Sequence, residues 1–137
     1  MYEINYDERS QTLHLKLTGF WTEATMASFK NDFTILIQKL TRARTSFVVL
    51  SDCRNYPVQS HEVLAAWAEA LGPKPIVSVP YAVIVGSVLN KLQAERALTA
   101  PNVKVFASIE TAKAWLEASR GTGRSEPAGP ATGTARA

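Results

Sequence analysis

Residues 47–56 read FVVLSDCRNY, and this stretch decides the fold class. Its first half, Phe47 to Leu50, is an unbroken run of β-prone apolar residues. Such a run is typical of a strand in a parallel sheet that helices cover on both faces. A second run of the same kind, YAVIV, occupies residues 81–85. Buried strands of this type, separated by helical patterns, indicate an α/β protein.

Upstream of this stretch, the pattern predicts a hairpin and then a helix. Apolar residues alternate with polar ones over residues 2–7 and again over residues 12–18, which is typical of an antiparallel hairpin near a sheet edge. A helix is predicted from Thr22 to about Leu40, with Thr22 as its N-cap. Its apolar residues recur at steps of three and four, as one buried stripe requires: Met26, Phe29, Phe33, Ile37 and Leu40.

Downstream, helical and strand patterns continue to alternate. Ser60 is placed to cap a second helix that ends at Gly72, a third helix is expected over about residues 89–98, and a fourth follows the strand at 103–106. The order β-β-α-β-α-β-α-β-α predicts a mostly parallel five-stranded sheet with an antiparallel N-terminal edge hairpin and four helices. This domain is expected to span residues 1–118, and the Gly/Pro/Ala-rich residues 119–137 are expected to form a disordered tail.

Composition excludes several classes of protein. Three arginines and one glutamate in residues 119–137 carry much of the net charge of +3, so residues 1–118 are nearly neutral, unlike a nucleic-acid-binding domain. No apolar stretch approaches the roughly 20 residues of a membrane span, and no signal peptide opens the chain. A single cysteine allows no internal disulfide. We therefore expect a cytoplasmic protein without nucleic-acid partners.

The most promising site lies after the FVVL strand. Ligands of open α/β sheets bind at the carboxyl ends of parallel strands, where helix N-termini offer free N–H groups. The segments expected at that edge are Ser51–His61, Gly86–Asn90 and Ala107–Glu110, and the first is the richest in polar side chains. The residues predicted to bind a small apolar or anionic ligand, or a protein partner, are Asp52, Arg54, Tyr56, Ser60, His61 and Trp67.

Catalysis is the less favoured interpretation of the same segment. Cys53, His61 and Asp52 are the residue types of a nucleophile, its base and an orienting carboxylate, but no nucleophile elbow surrounds Cys53. Gly86 opens no phosphate-binding loop, since the second glycine and the Gly-Lys-Ser/Thr ending are missing. His14 has no second metal ligand near it in sequence. The sequence thus predicts a protein that is not an enzyme and has neither metal site nor cofactor.

Several short motifs, in order, resemble the SpoIIAA-like branch of the STAS superfamily. The resemblance covers residues 2–118 and ends in a pattern of the form F…E-x-A-x-x-W-L. The matching residues are Leu15-Lys16-Leu17-Thr18-Gly19, Val48-Val49-Leu50-Ser51-Asp52, Ala82-Val83-Ile84-Val85-Gly86, Gln93, Arg96, Val105-Phe106, Glu110, Ala112, Ala114, Trp115 and Leu116.

The resemblance implies a non-enzymatic domain. Relatives act as anti-sigma-factor antagonists, as regulatory modules, or as binders of nucleotides and apolar molecules. The antagonists carry a phosphorylatable serine in an Asp-Ser-Ser-Gly run, whereas residues 59–63 here read QSHEV. Ser60 is the nearest hydroxyl, so it is either a simple helix cap or the phosphosite of a partner-switching protein. Overall, the chain is more similar to the uncharacterised SpoIIAA-like group than to a sigma regulator.

The N-terminal hairpin also predicts a route to a homodimer. The outermost strand of the N-terminal hairpin would leave backbone N–H and C=O groups unpaired at the sheet edge, where a second copy could pair. Glu3 and Asp7 place charge on that strand, which works against such pairing.

Overall fold

A computed structural model describes residues 1–122, and its strands and helices follow the predicted order. The elements are β1 (Tyr2–Asp7), β2 (Thr12–Thr18), α1 (Glu23–Arg42), β3 (Val48–Asn55), α2 (His61–Ala70), β4 (Tyr81–Val85), α3 (Val88–Ala97), β5 (Val103–Phe106) and α4 (Ile109–Thr122). α4 extends beyond residue 118, the expected end of the domain, and the rest of the predicted tail lies outside the described residues.

The strands form one sheet in the order β1-β2-β3-β4-β5. β1 pairs antiparallel with β2, and every other neighbouring pair is parallel. The predicted mixed sheet with an N-terminal edge hairpin is therefore confirmed. All four parallel strands end at the same edge, with Thr18, Asn55, Val85 and Phe106 as their last residues.

Helices cover both faces of the sheet. The larger core joins one face to α1, α2 and the inner side of α3, while α4 packs on the other face. The predicted stripe on α1 is buried in the larger core, and the Thr22 side chain accepts a hydrogen bond from the Thr25 amide as the N-cap. Trp21, which precedes that cap, is fully buried at the centre of an aromatic cluster.

The predicted end of the FVVL strand is wrong. The sequence pattern predicts a loop from residue 51, but β3 continues to Asn55, because Asp52 and Cys53 still pair with β4 and Asp52 also pairs with β2. Paired backbone on both sides outweighs the low strand preference of the polar side chains. The carboxyl end of β4 lies close to the same segment, since a Cβ added to Gly86 would come within 2.4 Å of the Arg54 carbonyl oxygen.

Candidate functional site

A cavity of about 70 Å³ lies between the sheet, α2 and α3. In the same measure, a single water needs only about 10–15 Å³. Most of its wall is aliphatic and comes from strands and helices far apart in the sequence: Leu17, Leu64, Leu71, Val83, Val85 and Leu98. The loop after β3 contributes Tyr56, Pro57, Val58 and Gln59. The predicted location, the segment between β3 and α2, therefore does border a cavity.

α3 covers this cavity but is only loosely attached to the domain. It contains no buried residue, and three of its apolar side chains, Val88, Leu89 and Leu92, are exposed. Its small residues Ala94 and Ala97 face the cavity. The N-terminal turn is held by the Ser87 cap and by Asn90, whose amide donates to the Tyr56 carbonyl oxygen at 3.2 Å. A helix that buries so little apolar surface is easier to displace than one packed in the core.

Three hydroxyl and thiol groups lie on the sheet side of the cavity, and we call Ser51, Cys53 and Tyr81 the polar floor. Ser51 Oγ lies 3.5 Å from Cys53 Sγ, and Tyr81 lines the same side of the cavity. Burial raises the pKa of the Cys53 thiol to about 12, and burial likewise raises the pKa of Tyr81. The floor is therefore polar but uncharged at neutral pH.

Tyr56 and Trp67 meet at the side of the cavity. The Trp67 indole N–H donates to the Tyr56 hydroxyl oxygen at 3.1 Å. Because that oxygen is the acceptor, the Tyr56 hydroxyl hydrogen is left to donate elsewhere. Burial raises the pKa of Tyr56, so this phenol stays protonated well above neutral pH.

Gln59 fixes the loop that borders the cavity. Its side chain is buried and accepts a hydrogen bond from the Trp21 amide at 2.7 Å. Its own amide group donates to the carbonyl oxygens of Gly19 at 3.0 Å and Pro57 at 2.7 Å. One side chain thus joins the loop after β2 to the loop after β3.

Asp52 and Arg54 lie on the opposite face of the sheet from the cavity. Side chains of a strand alternate between faces, so these two share a side with Leu50, which packs in the α4 core. Two hydrogen bonds, at 2.9 and 2.8 Å, join the Arg54 guanidinium to the Asp52 carboxylate. The hydrogen bond from Arg54 lowers the pKa of Asp52. The structure therefore does not bring this pair together with Tyr56 and Trp67.

Ser60 and His61 lie at the start of α2. Ser60 Oγ accepts from the Val63 amide at 3.3 Å, as the predicted N-cap. His61 is exposed and does not border the cavity. Phosphorylation of Ser60 stays a prediction. Of the six residues predicted to bind, only Tyr56 and Trp67 line the cavity.

The chain is similar to a known protein in structure, whereas its sequence gives no match. No family model matches the sequence, and no curated protein matches it significantly. Among solved structures, the chain is similar to an uncharacterised protein from the DUF3478 family, with a SpoIIAA-like fold, from Shewanella loihica PV-4. The two superpose with a TM-score of 0.58 at 19% sequence identity, over 85% of this chain and 92% of the other. The fold is SpoIIAA-like. The resemblance seen in the sequence is thereby confirmed for the fold.

Three features of this SpoIIAA-like domain concern dimerisation, membranes and metal ions. β1 and β5 are the edges of the described sheet, so homodimerisation through β1 stays a prediction. Within residues 1–122, no helix combines the length and apolarity that crossing a membrane requires. In the same range, no three His, Cys, Asp or Glu side chains lie together in a way that could hold a metal ion.

Sequence reasoning missed the polar floor and the role of Gln59. Alternation along β3 contained the missing signal, because Ser51 and Cys53 occupy every second position and Asp52 and Arg54 occupy the positions between them. When residues 51–61 are treated as one loop, side chains from opposite faces of the SpoIIAA-like sheet are assigned to one site. The contacts of Gln59 join residues about 40 positions apart, and no local pattern predicts them.

Alkaline pH is expected to destabilise the fold through the polar floor. An unfolded cysteine has a pKa near 8.5, whereas burial raises the pKa of the folded Cys53 thiol to about 12. Between these values the unfolded chain binds fewer protons, so stability is complete below about pH 8.5 and falls as pH rises, by roughly 1 kcal/mol per pH unit. Urea unfolding at pH 7, 9 and 10 under reducing conditions measures this. Cys53→Ala should show a shallower decline, and parallel curves for the two proteins would contradict the assignment.

Proposed function

We propose that this protein is a non-enzymatic binding module that takes up a small, largely apolar molecule in the cavity beneath α3. The observation that supports this most is the combination of an aliphatic cavity with a covering helix that buries none of its residues. A well-packed interior seldom contains space of this size, and binding sites are typically apolar cavities with a few polar groups.

Binding is favoured over nucleophilic catalysis at this site. A catalytic thiol must be partly ionised and accessible, whereas Cys53 is buried and has a pKa of about 12. His61, the base that a cysteine hydrolase would need, is exposed at the start of α2 and does not line the cavity. The arrangement of these residues supports a protein that binds and releases a molecule without changing it chemically.

Filling the cavity tests the proposal. Ala97 lines the cavity from α3, and Ala97→Trp places an indole in the space that a ligand would occupy. Arg96→Trp is the matched control, because it introduces the same side chain at an exposed position of the same helix. A ligand at 100 times its Kd stabilises the folded state by about 2.7 kcal/mol, which appears as a rise in Tm.

We expect small apolar compounds, with toluene and 1-hexanol as the first probes, to raise the Tm of the wild type and of Arg96→Trp. The Ala97→Trp variant should lose this response, and overpacking is expected to lower its own Tm. If no compound stabilises the wild type, or if Ala97→Trp responds as strongly as Arg96→Trp, the cavity is not a binding site.

A further inference from the structure

The cavity lacks charge. In the part of the chain that the structure describes, none of its lining side chains is Asp, Glu, Lys, Arg or His. The groups there that could ionise are a thiol and two phenols, and burial raises the pKa of all three: Cys53, Tyr56 and Tyr81. At neutral pH every group that a ligand would touch is therefore uncharged.

A charged ligand would find no counter-ion in this cavity. Moving a carboxylate or an ammonium group out of water is strongly unfavourable unless an opposite charge or several hydrogen bonds compensate. The nearest ion pair in sequence, Asp52 with Arg54, faces the other side of the sheet and is internally paired. The anionic ligand that the sequence left open is thus disfavoured.

The cavity nevertheless offers hydrogen-bond donors. The Tyr56 hydroxyl accepts from Trp67, and no acceptor for its own hydrogen is found within residues 1–122. Ser51 and Tyr81 add two further hydroxyls on the polar floor. A buried hydroxyl gains most from an acceptor that water cannot reach to replace. A purely hydrocarbon ligand would leave the Tyr56 hydroxyl hydrogen unused.

We infer that the ligand is an uncharged, largely apolar molecule with one hydrogen-bond acceptor, such as an alcohol, ketone or ester oxygen, which the hydroxyls of Tyr56 and the polar floor bind. This inference rests on the proposed function and specifies the class of molecule that the cavity selects. The volume of about 70 Å³ is about half of the roughly 150 Å³ that holds benzene in an engineered apolar cavity, so a short chain or a single ring binds only with outward movement of α3 or with part of the ligand protruding.

Four probes of similar size test the selection: 1-hexanol, hexanoate, hexylamine and toluene, titrated into the wild-type protein at pH 7 by isothermal calorimetry. We expect 1-hexanol to bind most tightly, with hexanoate and hexylamine at least tenfold weaker. The variants Tyr56→Phe and Tyr81→Phe remove one hydroxyl each while keeping the ring. At least one of them should weaken 1-hexanol binding several-fold and leave toluene binding unchanged.

The outcomes separate this inference from the proposed function. If hexanoate or hexylamine binds as tightly as 1-hexanol, the selection for uncharged ligands is wrong, although a binding cavity remains. If neither tyrosine variant changes the preference for 1-hexanol over toluene, the hydroxyls are not the recognition groups. If neither toluene nor 1-hexanol binds at all, the proposed function fails together with the inference.

Discussion

Replacing Trp21 with alanine is expected to lower the free energy of unfolding by about 3–5 kcal/mol, the usual loss for a large buried aromatic side chain. Only 1% of the Trp21 side chain is exposed. Its ring packs at 5.0–6.2 Å, between centroids, from four other rings: Tyr2, Phe29, Tyr56 and Trp67. Its indole N–H also donates to the Thr18 carbonyl oxygen at 3.0 Å. The truncation therefore removes both aromatic packing and a hydrogen bond.

The neighbouring residue supplies a matched control. Phe20 precedes Trp21 in the chain but is 66% exposed, so Phe20→Ala should change stability by no more than about 0.5 kcal/mol. Urea denaturation of both variants at pH 7 measures the difference. An unchanged m-value shows that unfolding still exposes the same amount of surface. Similar losses for the two variants would mean that the aromatic cluster does not hold the domain together.

Trp21 also links stability to the cavity. Its ring contacts both Tyr56 and Trp67, the pair that borders the cavity, so the aromatic cluster sets the position of that wall. The cluster joins β1, α1 and α2 on one face of the sheet, whereas α3 has no aromatic residue and lies outside it. α3 contributes only partly buried residues to this core, so it is the wall of the cavity that costs least to displace.

Local patterns predicted most of the fold. β4 and β5 begin and end where the apolar runs indicate, and the α1 stripe is buried as its spacing requires. These features depend on neighbours in sequence, because strand alternation and helix periodicity are local properties. The end of β3 depends instead on pairing with β2 and β4, and the polar residues at its end made a loop the natural expectation.

The cavity could be predicted only in part. Its location beside the segment after β3 follows from the general geometry of parallel sheets, but its size depends on how tightly α3 packs. The sequence of α3 contains no signal for this, since Val88, Leu89 and Leu92 follow each other at steps of three and four, as a buried face would, yet all three side chains are exposed. To predict the polar floor, one must know that Ser51 and Cys53 share one face of β3, and therefore that the strand reaches Asn55.

Replacing Gln59 with leucine is expected to lower the free energy of unfolding by about 2–4 kcal/mol, although leucine is apolar and similar in size. The change leaves the buried Trp21 amide without its acceptor and removes both hydrogen bonds that the Gln59 amide group donates. A buried group left without a partner costs about 1–3 kcal/mol. Gly19 and Pro57 are exposed residues, so water replaces part of what their carbonyl oxygens lose.

The same substitution at Gln93 separates hydrogen bonding from polarity in general. Gln93 also lines the cavity and is half-buried on α3, but its side chain makes no hydrogen bond within residues 1–122. Gln93→Leu should therefore change stability by no more than about 0.5 kcal/mol in the same urea assay. Equal effects of the two substitutions would show that Gln59 does not join the loops. If instead only Gln59→Leu destabilises the protein and also weakens 1-hexanol binding, the loop that Gln59 holds is part of the binding site, because Tyr56 is carried on it.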